Sequence, residues 1–322
     1  MDHPHREEGR LAGVSENRAG VLLGLGAYCM WGTFPLYFKA VASVRASEVL
    51  AHRIVWSAAF LLIFVAATGA GGRLLDTIRD RRKVYLLTAT TLFISVNWFI
   101  FIGAVARGKV LESSLGYYIN PLVSIFLGSV FLGEVLSRKQ KISIALAAAG
   151  VLVQTAMVGK VPLVSLALAF SFGMYGLVRK VARVEPVPGL TIEMVLTCPL
   201  ALAYLVWLVT SGKASFLAGG VGMDFLLGSA GVITATPLIL YGGAINRLRL
   251  STMGIMQYIV PSGHFCLAVF VFGEPFTAAH LVSFGLIWSG LVLYTADSLG
   301  SLRPATQAAG QVAGEFQEIS DK

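Results

Sequence analysis

Four polar residues recur along one apolar stretch at i, i+4, i+7 and i+11: Ser113, Tyr117, Asn120 and Ser124. On a helix that spacing draws a single stripe. The same offsets recur 140 residues on, at Met253, Gln257, Val260 and His264. Hydroxyl, amide and imidazole groups strung along an apolar helix are suited to hydrogen-bonding a solute rather than to breaking its bonds. Such a stripe faces the protein interior or water, not lipid. It either lines a cavity or holds neighbouring helices together. Tyr117, Asn120, Gln257 and His264 are therefore substrate-binding candidates. Aromatic residues with one polar edge also suit a cavity for small amphipathic molecules. That adds Tyr28 and Trp31, Asn97 beside Trp98, Tyr175 and Tyr241.

A charged group stands nearby in sequence. Glu48 and His52 are i, i+4 neighbours on one helical face, and Arg53 follows. Arg53 lies seven residues in from Ala46, about 10 Å at 1.5 Å per residue. A charge at that depth is costly unless it snorkels or pairs, so Arg53 either reaches the interface or pairs with Glu48. The sharper alternative is a proton-coupling pair of Glu48 and His52. Glu112 and Glu193 read as vestibule charges or as helix N-terminal acids favoured by the dipole.

Chemistry of other kinds finds no support. Gly103-x4-Gly108-Lys109-Val110 resembles a phosphate loop, but it lacks the final Ser or Thr and joins two apolar segments. No metal-protease motif, metal cluster or nucleophile elbow is present, so neither an enzyme nor a cofactor is expected. Cys29, Cys198 and Cys266 lack metal-ligand spacing and read as small buried hydrophobes.

The elements that must position these residues are duplicated. Tyr118-Ile119-x-Pro121, Gly133-Glu134 and Gly150 recur without a gap as Tyr258-Ile259-x-Pro261, Gly273-Glu274 and Gly290. A duplication sets the architecture and is read first. Pro121 and Pro261 fall mid-helix, where each removes a backbone donor. A matched pair of broken helices points to a central site. Gly-Glu reads as a turn, the glycine ending one helix and the acid opening the next.

Hydrophobic residues make up 56% of the 322-residue chain and charged residues 13%, against roughly 25% charged in soluble domains. Mean hydropathy is +0.75. Ten apolar stretches of spanning length lie between about residues 20 and 298. The expected fold is therefore an all-α polytopic membrane protein of ten transmembrane helices. Spans 1–5 (residues 20–158) and 6–10 (residues 162–298) form two repeats, flanked by disordered tails at 1–19 and 299–322. Because five is odd, the second repeat must be inverted in the membrane. With the N-terminus inside, eighteen Lys and Arg fall on the cytoplasmic side and six outside. That bias places both termini in the cytoplasm, and it accounts for the net charge of +8 without a nucleic-acid partner. The expected partners are the lipid bilayer and a small-molecule substrate, with the chain a monomer or homodimer.

The paired Gly-Glu signature resembles the EamA-type repeat of the drug/metabolite transporter superfamily. Finer strings resemble its RarD branch: Ala51-His52-Arg53-Ile54-Val55-Trp56-Ser57, the run from Ser114 to Leu122, the run from Ala169 to Lys180, and Arg247 to Thr252. The resemblance covers about residues 18–298. It implies ten helices, an inner-membrane location and alternating-access movement of small metabolites or drugs, and export is the expected direction. Members of that branch are often labelled chloramphenicol-sensitivity proteins. The resemblance carries over no catalytic residue. A ligand-binding membrane receptor without translocation is the alternative.

Overall fold

The computed structural model describes the backbone of residues 4–106, 110–158, 163–273 and 278–301. The side chains of 1–15, 102, 105–115, 157–162, 274–277, 279 and 298–322 lie outside that description, and with them fall Ser113, Glu112 and Glu274. Every regular element among the described residues is a helix. The first half holds α1 (Pro4–Ala40), α2 (Ala46–Ala67), α3 (Gly71–Arg79), α4 (Arg81–Ala106), α5 (Val110–Phe131) and α6 (Arg138–Val158). The second holds α7 (Leu163–Ala182), α8 (Pro186–Thr210), α9 (Val221–Arg247), α10 (Leu250–Met256), α11 (Ile259–Cys266) and α12 (Ala278–Ser301), with a π-helical turn, Leu267–Val271, after α11.

Seven of these stretches, among the described residues, are long and apolar enough to cross a membrane, and Gly116–Phe131 is a shorter apolar run. The helices α6 and α12 occupy the places of the expected fifth and tenth spans. Large apolar side chains stand on the outside: Leu200 and Phe270 are each 80% exposed and Phe99 78%. That is unfavourable in water and natural in hydrocarbon, where the helix satisfies its own backbone. The chain is a multi-pass membrane protein. Two boundaries differ from the sequence reading. The first helix starts at Pro4 rather than near residue 20, and the short α3 fills the basic α2–α4 connection, where Arg73 pairs with Glu185 at 3.0 Å. Cys29 and Cys266 are exposed free thiols rather than buried hydrophobes, since the outward face of a membrane helix accepts an apolar thiol as readily as its core.

Helix pairing is reciprocal between the halves. From the first half, α1 packs against α9 and α11; from the second, α7 packs against α4 and α5. The repeat-matched elements also meet each other: α6 with α12, and α5 with α10. The α6–α12 crossing explains the repeated glycines. A Cβ on Gly150 would stand 2.7 Å from the Ser283 carbonyl oxygen, and one on Gly290 would stand 2.6 Å from that of Ser143. The two positions are equivalent in the repeat and make the same contact in both directions. Without a hydrophobic drive between helices in lipid, such close backbone approach is what holds them.

The Gly-Glu turns behave partly as expected. Gly133 and Gly273 adopt φ of +63° and +69°, the left-handed conformation that ends a helix. Glu134 opens a helix as well, but one from the other half. Its two oxygens accept the N–H groups of Leu250 (2.6 Å) and Ser251 (2.9 Å) at the start of α10, where a carboxylate complements the dipole.

Candidate functional site

A cavity of about 850 Å³ lies between the halves. Trp31, Phe34 and Phe38 of α1 and Arg53 of α2 line one side; Asn97 and Trp98 of α4 and Tyr117 and Asn120 of α5 line another. Phe172 of α7, Gln257, and Val260 and His264 of α11 complete the wall, and Val41, Val44 and Ala46 carry it to the α1–α2 turn. Six of the nine sequence-level binding candidates thus share one space: Trp31, Asn97, Tyr117, Asn120, Gln257 and His264.

Prolines account for much of the local geometry. Pro35 has no N–H, so the carbonyl of Trp31 four residues earlier loses its helical partner. His264 supplies the replacement, with Nε2 3.1 Å from that oxygen. A carbonyl only accepts, so Nε2 carries the proton and Nδ1 of the neutral ring is left as an acceptor. The Tyr117 ring stands edge-on to His264 at 5.6 Å, bringing the two repeat stripes into contact. Pro261 likewise orphans the carbonyl of Gln257, which the N–H of Val260 takes at 3.0 Å in a tighter turn. The helix is interrupted there, between α10 and α11. The matched break expected at Pro121 does not occur: α5 runs continuously through it. Gly254 explains the closeness of α10 at that point, since a Cβ there would meet the Pro121 carbonyl oxygen at 2.8 Å.

The stripe divides by depth. Asn120, Tyr117, Gln257, Val260 and His264 line the cavity, while Ser124 and Met253 are buried in the α5–α10 packing. Asn97 Nδ2 donates to the Leu168 carbonyl (2.9 Å) and to Ser171 Oγ (3.0 Å), tying α4 to α7. Asn120 Oδ1 is buried without a hydrogen-bond partner among the described residues.

Tyr28, Tyr175 and Tyr241 do not line the cavity. They are buried behind Trp31 and Phe172 in one aromatic cluster, with ring centroids 5.6–6.3 Å apart. The hydroxyls of Tyr28 and Tyr175 turn inward because buried polar groups need partners. Tyr28 donates to the Met253 carbonyl at 2.9 Å, and Tyr175 to Glu193 at 3.3 Å. Glu193 is not a vestibule charge. It is buried with Arg179 at 3.4 Å and accepts Thr90 Oγ1–H at 2.6 Å. Gly189 and Gly242 leave the space that the guanidinium fills. Sequence reasoning counted Arg179 among cytoplasmic basic residues; its place in the last turn of α7 beside Lys180 gave no signal that it turns inward to Glu193.

Glu48 does not pair with Arg53. Its oxygens accept the N–H groups of Ser215 (2.6 Å) and Phe216 (3.3 Å) and the Ser215 hydroxyl (3.0 Å), pinning the segment after α8. His52 accepts the Trp56 indole N–H at 3.2 Å and lies 4.9 Å from the Phe216 ring. Glu48 and His52 line a separate pocket of about 200 Å³. Arg53, about 100° further round the helix, points into the main cavity instead. Its Nε donates to Thr234 at 2.9 Å.

No group of three or more potential metal ligands occurs among the described residues. The arrangement can bind and orient a small amphipathic molecule by aromatic faces, three amides, one imidazole and one guanidinium.

The EamA-like transporter family matches residues 18–156. An uncharacterized transporter of Vibrio cholerae serotype O1 is 43% identical over 291 residues, covering 90% of this chain and 96% of the relative. Protein RarD of Escherichia coli K12 is 41% identical over 290 residues, covering 90% and 98%. A crystal structure shares the fold with a TM-score of 0.69 at 18% identity, covering 87% of this chain and 98% of its own. Spanning nearly the whole of both relatives, with the cavity built from both of its halves, the chain belongs to the EamA-like transporter family, in its RarD branch.

Proposed function

We propose that this protein is a secondary transporter that exports a small metabolite or drug-like molecule across the inner membrane by alternating access. The observation that carries the reading is the central cavity, walled by both halves and by the matched stripe residues on α5 and α11. It reaches the α1–α2 turn, which the charge bias assigns to the outer face. The opposite end is held shut by contacts between halves. Glu134 caps α10, and the Arg249 guanidinium donates to the carbonyl of Val135 at 2.6 Å. One open and one sealed end is what a resting state of an alternating-access carrier requires, and the reciprocal helix pairing supports two inverted halves rocking about α5 and α10–α11. Both termini then lie in the cytoplasm.

Reconstituted in liposomes, the protein should give saturable flux of a cargo found by screening metabolites and drugs, chloramphenicol among them. Asn120→Ala or Gln257→Ala should change the apparent affinity for that cargo. Tight binding with no flux would overturn the reading in favour of a receptor.

A further inference from the structure

Arg53 is the charged residue among the described lining residues of the cavity, and its own protein partners do not neutralise it. Its Nε is spent on a neutral hydroxyl, Thr234. Its guanidinium carbon stands 5.6 Å from the Phe38 ring and 5.8 Å from those of Phe34 and Trp98. Ring faces hold a cation in place without cancelling its charge. Among the described residues it forms no ion pair, since the acid nearest in sequence, Glu48, is committed to Ser215 and Phe216. Its two terminal nitrogens have no hydrogen-bond partner among the described residues, leaving the fork that matches a carboxylate free. An unpaired cation at membrane depth is costly to keep, and here it borders a space of ligand size, within the roughly 300–1,000 Å³ of small-molecule sites.

We infer that the cavity selects a small organic anion: a carboxylate engaged by Arg53, carried on an apolar or aromatic body that lies against Trp31 and Phe172. Asn120 lines the same space, and a side-chain amide is suited to a second polar group. A cationic ligand is disfavoured. Three of the ring faces that would cage it are already occupied by Arg53, and the two like charges would repel. The inference rests on the proposed cavity being the cargo site and adds the class of cargo.

Three probes that share a phenyl ring and a two-carbon chain test it on the purified full chain in lipid nanodiscs: phenylacetate, its neutral amide phenylacetamide, and the phenethylammonium cation. Calorimetry should find phenylacetate bound about tenfold or more tighter than the amide, the scale of one charge-assisted hydrogen bond, with the cation weakest. Arg53→Gln should abolish that preference, and Arg53→Lys should restore part of it. An amide or cation bound as tightly as the carboxylate by the wild type, a preference that survives Arg53→Gln, or no carboxylate binding up to millimolar concentration would each overturn the inference. Should Arg53→Gln fail to give monodisperse protein, the ranking of probes on the wild type and on Arg53→Lys decides. Val260→Trp, which fills the cavity, separates the two readings. Carboxylate binding that persists in that variant places the site elsewhere and removes the cavity from the transport reading as well. Carboxylate-selective binding lost on filling the cavity, together with absent flux, leaves the anion inference standing and overturns transport alone.

Discussion

Arg179 and Glu193 form a buried ion pair between two transmembrane helices, and each is 2% exposed or less. Removing one partner of such a pair strands the other charge, at about 3–5 kcal/mol. Glu193→Ala should therefore lower the thermal midpoint sharply in detergent, whereas Arg179→Met combined with Glu193→Leu should recover most of the loss. A double variant no more stable than the single one would show that the pair does not act as a unit. His264 is a gentler case. His264→Phe leaves the Trp31 carbonyl without its donor and should cost about 1–3 kcal/mol, read from the same melting curves. At this scale the sequence was informative where residue type and spacing agree. Tyr117, Asn120, Gln257 and His264 announce themselves because polar groups on one stripe of an apolar helix have few other places to go. Tyr28, Tyr175 and Tyr241 were misplaced because a tyrosine in an apolar run looks the same whether its hydroxyl points to a cavity or to a carbonyl behind it. The partners that decide the matter, Met253 and Glu193, sit on other helices. Arg53 was misread as pairing with Glu48 because sequence proximity hid the rotation between them: Glu48 and His52 share a face that Arg53 does not.

At the level of elements, the repeat glycines make a direct prediction. Gly150→Val and Gly290→Val should each force α6 and α12 apart, because the added side chain meets a carbonyl oxygen already under 3 Å from the Cβ position. Each variant should lower the yield of folded protein, and equal behaviour of the two would follow from their reciprocal contact; a neutral Gly150→Val would contradict the crossing as described. Glu134 makes a different kind of contact, since it joins the halves at one end only. Glu134→Ala removes the α10 cap, worth about 0.5–2 kcal/mol, from the sealed end. With the native cysteines replaced, a cysteine at Ser124, buried below the cavity, should then label several-fold faster, one or two kcal/mol being a factor of roughly 5–30 in a two-state ratio. An unchanged rate would remove Glu134 from the closure. The duplicated Gly-Glu pattern was legible as a turn, and the glycine conformations bear that out. What spacing does not convey is that the acid caps a helix more than a hundred residues away, because a cap depends on tertiary approach. The proline pair teaches the same lesson: identical chemistry leaves α5 continuous and the second copy interrupted, since neighbouring packing decides whether a missing hydrogen bond is absorbed or opens a turn.

Over the whole molecule, composition announced the membrane and the duplication announced two related halves, while their opposite orientation is an expectation from the odd number of spans per repeat and from charge counting. The reciprocal packing of α1 on α9 and α11 and of α7 on α4 and α5 is the pattern that two inverted halves would make. A cavity between them belongs to neither half, and for that reason it was visible only as scattered candidates until the helices were assembled. The central claim is that this one space is exposed in turn to the two sides of the membrane. The most direct test is a single cysteine in place of Asn120, in a chain free of native cysteines, probed with a membrane-impermeant thiol reagent in right-side-out and inside-out vesicles. Labelling from both faces, with Glu134→Ala raising the rate from the inside and lowering it from the outside, is the predicted result. Labelling from one face alone in both backgrounds would contradict alternating access and leave a pocket that binds without carrying.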